Sequence, residues 1–218
     1  METLLVEALS VGPFQSNTFI IRDSDTKDAV IIDPGDEVSR ILKIIKEHNL
    51  MLKNILLTHG HIDHVGGAKG LKDATGAHIM IHKEDMLLYE KIQLQASLFG
   101  MQSPEVADPD MLLEDGMEIG EGAIRCRVIH TPGHTPGGVS FFFDGMVFTG
   151  DTLFRDGIGR TDLWGGSYDL LMESISMKLM KLDDTTRVYP GHGPATTIGR
   201  EKRENPFLQE IYNWDMNV

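Results

Sequence analysis

The stretch Thr58-His59-Gly60-His61-Ile62-Asp63-His64 places three of the chain's nine histidines within six residues and sets an aspartate among them. Imidazole nitrogens and carboxylate oxygens are good ligands for zinc, iron or manganese, and the short spacing lets one loop present several of them. A tight loop cannot easily aim all four side chains at one ion. Dividing them between two adjacent ions is sterically simpler. Four further positions share a placement. His134 follows an apolar run through Pro132-Gly133, Asp151 follows one through Thr149-Gly150, His192 follows one through Pro190-Gly191, and Asp33 directly ends one. Alone, each has an ordinary explanation as a turn or cap residue. Together with the histidine loop they reach a ligand count suited to two ions.

The elements that must position these residues are short. β-branched and aromatic runs bounded by turn residues predict strands over 3–9, 17–22, 29–32, 54–57, 78–81, 124–131, 139–143, 146–148 and 187–189. Helical spacing of apolar residues predicts a helix over 36–48, with Asp36 as its cap, and another over 168–182, with Ser167 as its cap. Shorter helices are expected over 67–74, 83–94 and 206–214. Strands in groups interrupted by helices fit a layered α/β fold, with no repeat or linker to divide residues 1–218 into more than one domain. Residues 98–110 are irregular, as a lid would be, unless the elements around them are misread. The candidate ligands all fall at strand ends, where a rigid scaffold can hold them.

Composition narrows the function. The 218 residues carry a net charge of −13, which repels nucleic acid, and two bound divalent cations would leave it strongly negative. The single cysteine, Cys126, excludes an intrachain disulfide framework and a thiolate cage, and its alternating surroundings read as a small buried side chain. No apolar run approaches the about 20 residues needed to cross a bilayer, and the N-terminus lacks the basic region of a secretory signal. A cytoplasmic protein with neither a membrane nor a nucleic-acid partner is expected.

The histidine loop, followed in order by His134, Asp151 and His192, resembles the metallo-β-lactamase superfamily over nearly the whole chain. The resemblance implies a four-layer αβ/βα sandwich, with two central mixed sheets flanked by helices and a dinuclear metal site at one edge. It implies that His59, His61 and His134 hold one metal, that Asp63, His64 and His192 hold the other, and that Asp151 bridges them. Asp33 matches the superfamily's supporting aspartate, which fixes the site by hydrogen bonding. Zinc is the first expectation for both ions, with iron or manganese as alternatives.

Within the superfamily, Gly150-Asp151-Thr152-Leu153-Phe154, Gly157-Ile158-Gly159-Arg160-Thr161-Asp162, Pro190-Gly191-His192-Gly193-Pro194 and Glu204-Asn205-Pro206-Phe207-Leu208 are similar to the glyoxalase II family of hydroxyacylglutathione hydrolases, in its short bacterial branch. That similarity implies hydrolysis of a small-molecule thioester such as S-lactoylglutathione. A hydroxide bridging the two metals would attack the thioester carbonyl, and Asp63 and Asp151 would be the catalytic carboxylates. A thiol leaves as its thiolate without demanding a strong general acid. Arg160 stands where longer members carry a basic residue beside the substrate carboxylate, although Asp162 replaces their tyrosine. Tyr168 and the segment around Met101 are candidate pocket walls, with core filling the first expectation for the methionines. The nearest alternative on the same fold is a persulfide dioxygenase, which uses one iron held by two histidines and an aspartate. A β-lactamase fits less well, because expelling an amide nitrogen needs more protonation. A nuclease would want a basic groove.

Overall fold

Apolar runs cut short by glycine and proline turns form strands, and the structure, a computed structural model that describes residues 4–209, gathers most of them into two six-stranded sheets. The first sheet keeps chain order: β1 (Leu4–Val11), β2 (Ser16–Asp23), β3 (Asp28–Ile32), β4 (Met51–Leu56), β5 (His78–His82) and β6 (Met111–Leu113). β1 to β3 run antiparallel, and β3 to β6 run parallel. Parallel neighbours need crossovers. These are α1 (Val38–Glu47), then α2 (Ile62–Val65) with α3 (Ala68–Thr75), then α4 (Met86–Glu90) with α5 (Ile92–Leu98).

The second sheet begins with β7 (Glu118–Ile119), β8 (Cys126–His130), β9 (Val139–Phe143) and β10 (Met146–Gly150). A two-stranded excursion follows, β11 (Leu153–Phe154) with β12 (Gly157–Ile158), and then α6 (Tyr168–Met177). The chain re-enters the sheet through β13 (Arg187–Pro190) and β14 (Thr196–Thr197) before α7 (Ile198–Glu204). The resulting order is β14-β13-β10-β9-β8-β7, with β10 and β13 parallel.

Side-chain alternation separates three apolar layers. Ile21, Val30, Ile32 and Leu56 of the first sheet meet Val128, Phe141, Phe143 and Phe148 of the second between the sheets. The outer face of the first sheet packs on α1 to α5 through Ile41, Leu71, Ile92 and their neighbours. The outer face of the second packs on α6 through Leu171 and Ile175. This is the four-layer sandwich expected from the sequence. No helix among the described residues is long and apolar enough to cross a membrane.

Local details differ from expectation. Asp36 does not cap α1. The helix starts one residue later, after Glu37 in the left-handed region (φ 53°), and the Asp36 carboxylate instead accepts from the Glu37 amide at 2.6 Å. Ser167 does cap α6, accepting from the Leu170 amide at 3.4 Å. The single helix expected over 83–94 is broken into a 3-10 turn, α4 and α5. At the break the Leu88 carbonyl accepts from the Lys91 amide at 3.1 Å and also from the Gln95 side-chain amide at 2.9 Å. Residues 101–109 are irregular, as read, but the segment is pinned: the Tyr89 hydroxyl donates to Ala107 O, and Lys72 holds Asp110. Residues 206–209 are helical, and the rest of the helix expected over 206–214 lies outside the described residues. Cys126 is buried between the sheets, where burial pushes its thiol up to about 12.

Phe148 is fully buried, edge-on to Phe19 and Phe143 and stacked on Tyr189. Phe148→Ala is expected to cost about 3–5 kcal/mol, measured by denaturant unfolding. A loss below about 1 kcal/mol would contradict the packing described between the sheets.

Candidate metal centre

Five loops, each following a strand, converge at one edge of the sandwich. The loop after β4 carries His59 and His61, and α2, which closes it, carries Asp63 and His64; the loops after β8, β10 and β13 carry His134, Asp151 and His192; and Asp33 follows β3. The ligand atoms form two adjoining triads, His59–His61–His134 and Asp63–His64–His192, each with its atoms within 4.8 Å of one another. Asp151 reaches both. Its Oδ2 lies 3.6 Å from His134 Nε2 and 3.6 Å from His192 Nε2, and its Oδ1 lies 3.6 Å from His64 Nε2. Asp63 Oδ2 stands 3.2 Å from His192 Nε2, and His134 Nε2 stands 3.0 Å from His61 Nδ1.

Outward atoms are anchored, while three inward atoms have no partner. The Asp33 carboxylate, fully buried, accepts from the Thr58 amide at 2.7 Å, the Thr58 hydroxyl at 2.5 Å and His64 Nδ1 at 3.0 Å. His59 Nδ1 meets the Thr58 hydroxyl at 2.9 Å, and His134 Nδ1 donates to Arg160 O at 2.7 Å. The bonds to His59, His64 and His134 each fix a ring and leave the opposite nitrogen facing the cluster. His59 Nε2, His64 Nε2 and Asp151 Oδ1 are buried with no hydrogen-bond partner. Orphaned acceptors on converging ligands fit divalent ions, which would satisfy all three at once.

Titration follows from the same crowding. Burial, with neighbouring imidazoles adding to it, holds His59 well below the usual range and takes His61 down to about 3, so both keep their lone pairs. Burial also opposes charge on His64, but Asp63, Asp151 and Asp33 outweigh it and hold this imidazole well above its ordinary value. Burial would raise Asp63, yet His64 and His192 keep it far below the carboxylate range. Negative charge concentrated here favours a cation, and a divalent ion can supply that charge in place of a proton.

Arg160, expected to meet a substrate carboxylate, lies just after β12. Its guanidinium is exposed and closed in a two-point pair on Asp162, with Nε–Oδ1 and Nη2–Oδ2 both at 2.7 Å, while its backbone carbonyl orients His134. Tyr168 is exposed at the start of α6, and Met101 packs against the core of the first sheet. A further His82–Glu84–His130 group lies nearby. Its imidazoles stack at 4.1 Å and 17°, so their planes do not meet on a common ion, and His130 Nε2 is already bonded to Pro136 O.

Several positioning groups escaped the sequence reading. Ser16 Oγ donates to Asp63 O at 2.6 Å, and Asn17 Nδ2 donates to Pro190 O and Gly193 O, tying β2 to the loops of Asp63 and His192. Buried Asn205 donates to Gly157 O at 3.0 Å, steadying the β11–β12 hairpin that leads to Arg160. The one signal for Ser16 and Asn17 is a polar start to a strand whose centre, Phe19-Ile20-Ile21, is apolar.

Residues 11–192 match the family model described as the metallo-beta-lactamase superfamily. The hydroxyacylglutathione hydrolase GloC of Haemophilus influenzae is 44% identical over 207 residues, covering 93% of this chain and 97% of that protein. Three solved structures are similar. TTHA1623 in a di-iron-bound form has TM-score 0.86 and 40% identity, covering 93% of this chain and all of that one. The BLEG-1 B3 metallo-beta-lactamase has 0.84 and 36%, covering 94% and 99%. ETHE1 from Myxococcus xanthus has 0.80 and 30%, covering 94% and 85%.

Because the orphaned acceptors gain partners only when cations bind, zinc at about a hundred times its Kd is expected to stabilise the fold by about 3 kcal/mol, or roughly 5–10 °C in Tm. Differential scanning fluorimetry checks this. A melting temperature indifferent to zinc and to chelator would contradict the metal-binding reading.

Proposed function

The chain belongs to the metallo-β-lactamase superfamily, and from that premise we propose that it is a metal-dependent thioester hydrolase acting on an acylated low-molecular-weight thiol such as S-lactoylglutathione. The observation that carries this reading is the pair of adjoining triads with Asp151 in reach of both. That arrangement supports a two-ion centre; the choice of substrate rests on likeness to a relative. Likeness to a hydroxyacylglutathione hydrolase over nearly the full length supports the substrate class.

In this reading His59, His61 and His134 hold one ion, Asp63, His64 and His192 hold the other, and Asp151 is shared. Two divalent ions so held, zinc being the first choice, would supply a nucleophile from water at neutral pH and polarise the carbonyl under attack. The chain's own residues set the geometry for that chemistry. Asp33 fixes Thr58 and His64, the Arg160 carbonyl fixes His134, and Ser16 and Asn17 fix the loops of Asp63 and His192. Asp63, held as a carboxylate, is an acceptor at neutral pH and serves as a ligand rather than an acid. A thiol with pKa of about 8.5 leaves unaided as thiolate, which suits a site whose polar groups are committed to ligation. Arg160 can meet a substrate carboxylate only by exchanging Asp162 for it.

A persulfide dioxygenase is the second reading, favoured by the likeness to ETHE1. Elemental analysis of protein purified without added metal, together with a panel of acylated thiols and glutathione persulfide, separates the two. Thioester turnover with two ions per chain is expected; one iron per chain with oxygen uptake on the persulfide would overturn the hydrolase.

Asp151→Ala is expected to lose metal and turnover together, and full activity in that variant would refute its shared position. Arg160→Ala should keep its metal, because its contribution to His134 comes from the backbone. Its KM is expected to rise at most about fivefold, the worth of an exposed ion pair. Loss of bound metal in that variant would contradict the assignment.

A further inference from the structure

Among the described residues, one buried carboxylate outside the triads touches both loops that build the first of them. Asp85 ends the 3-10 turn after β5 and is fully buried. Its Oδ2 accepts from the Gly60 amide at 2.8 Å and from the Thr135 hydroxyl at 2.8 Å, and its Oδ1 accepts from the Gly137 amide at 2.6 Å. Gly60 lies between His59 and His61, and Thr135 directly follows His134. All three residues of the first triad are therefore within one residue of an Asp85 hydrogen bond.

The contacts are close enough to dictate glycine on both sides. A Cβ at Gly60 would stand 2.8 Å from Leu88 Cβ and 3.0 Å from Asp85 O, and one at Gly137 would stand 2.5 Å from the Asp85 amide nitrogen. Both are nearer than folded chains tolerate, so each loop is seated at backbone distance on the turn that carries Asp85. Gln95 completes the hold on the histidine loop. Its Nε2 donates to Gly60 O at 3.0 Å, and its Oε1 accepts from the Ile62 amide at 2.9 Å. Among the described residues no backbone group bonds to Gly60; two side chains do.

We propose that Asp85 is a positioning residue that sets the separation between the His59–His61 loop and the His134 loop, and through it the affinity of the first triad for its ion. The inference rests on the metal-binding part of the proposed function and is independent of the substrate. The second triad is the internal comparison. Its supports are Asp33, Ser16 and Asn17, none of which bonds to Asp85. A carboxylate is required because two backbone donors converge on its two oxygens. An asparagine would turn its NH₂ toward one of them, setting donor against donor.

The experiment is a competition titration of zinc against a chelator, on full-length wild type and on Asp85→Asn, at a temperature where far-UV circular dichroism shows both folded. Two zinc steps are expected in wild type. In Asp85→Asn one of them should weaken by about 10–100-fold, the scale for removing a group that orients a metal ligand, while the other stays within about twofold. Thr135→Val removes one of the three bonds and keeps side-chain shape, and it should weaken the same step by less. Phe143→Leu, in the core between the sheets, should lower Tm and leave both steps unchanged. Equal weakening of both steps, no weakening of either, or the same selective loss in Phe143→Leu would each overturn the role of Asp85. A wild type with a single zinc step would overturn the dinuclear reading; weakening of that step in Asp85→Asn would then support the role of Asp85, and an unchanged step would overturn it.

Discussion

Lone pairs that face one another inside a protein cost free energy unless a cation or a donor satisfies them. This chain directs six ligand side chains into two triads, places Asp151 between them, and leaves His59 Nε2, His64 Nε2 and Asp151 Oδ1 buried without a partner. His59 and His64 are held in that arrangement from their opposite ring nitrogens, by the Thr58 hydroxyl and by Asp33. Asp33 does most of this work for the histidine loop, with three donors on one fully buried carboxylate. Much of the architecture around the site can be read as a means of sustaining that concentration of acceptors.

Strand ends do the coarse positioning. β3 and β4 of the first sheet and β8, β10 and β13 of the second all end at the same edge, and turns there release the ligand-bearing residues. Hydrogen bonds between the halves do the fine positioning. Asn17, on the first sheet, donates to Pro190 and Gly193 on either side of His192. Asp85, also from the first half, accepts from Thr135 and Gly137 beside His134. The aromatic packing of Phe19, Phe148 and Tyr189 between the sheets lies behind these links and keeps the two halves in register.

The candidate ligands were legible because their signal is local. Three histidines and an aspartate in one loop, and lone histidines or aspartates just after apolar runs, need no long-range information to be seen. The longer strands were legible for the same reason. Strands of two or three residues, such as β7, β11, β12 and β14, carry too few residues to show a period, and they exist only through their neighbours. Asp85 was hidden in a segment that reads as an ordinary helix start, because its partners lie 25, 50 and 52 residues away. Arg160 was noticed for its side chain, but its contact with the site is made by its carbonyl, which every residue type possesses.

The central claim is that two cations sit where these side chains converge. Diffraction data from crystals of protein purified without added metal, collected across the zinc, iron and manganese absorption edges, test it directly. Two anomalous peaks about 3.5–4 Å apart are expected, one among His59, His61 and His134 and one among Asp63, His64 and His192, with Asp151 against both. A single peak, or peaks only elsewhere on the molecule, would contradict it.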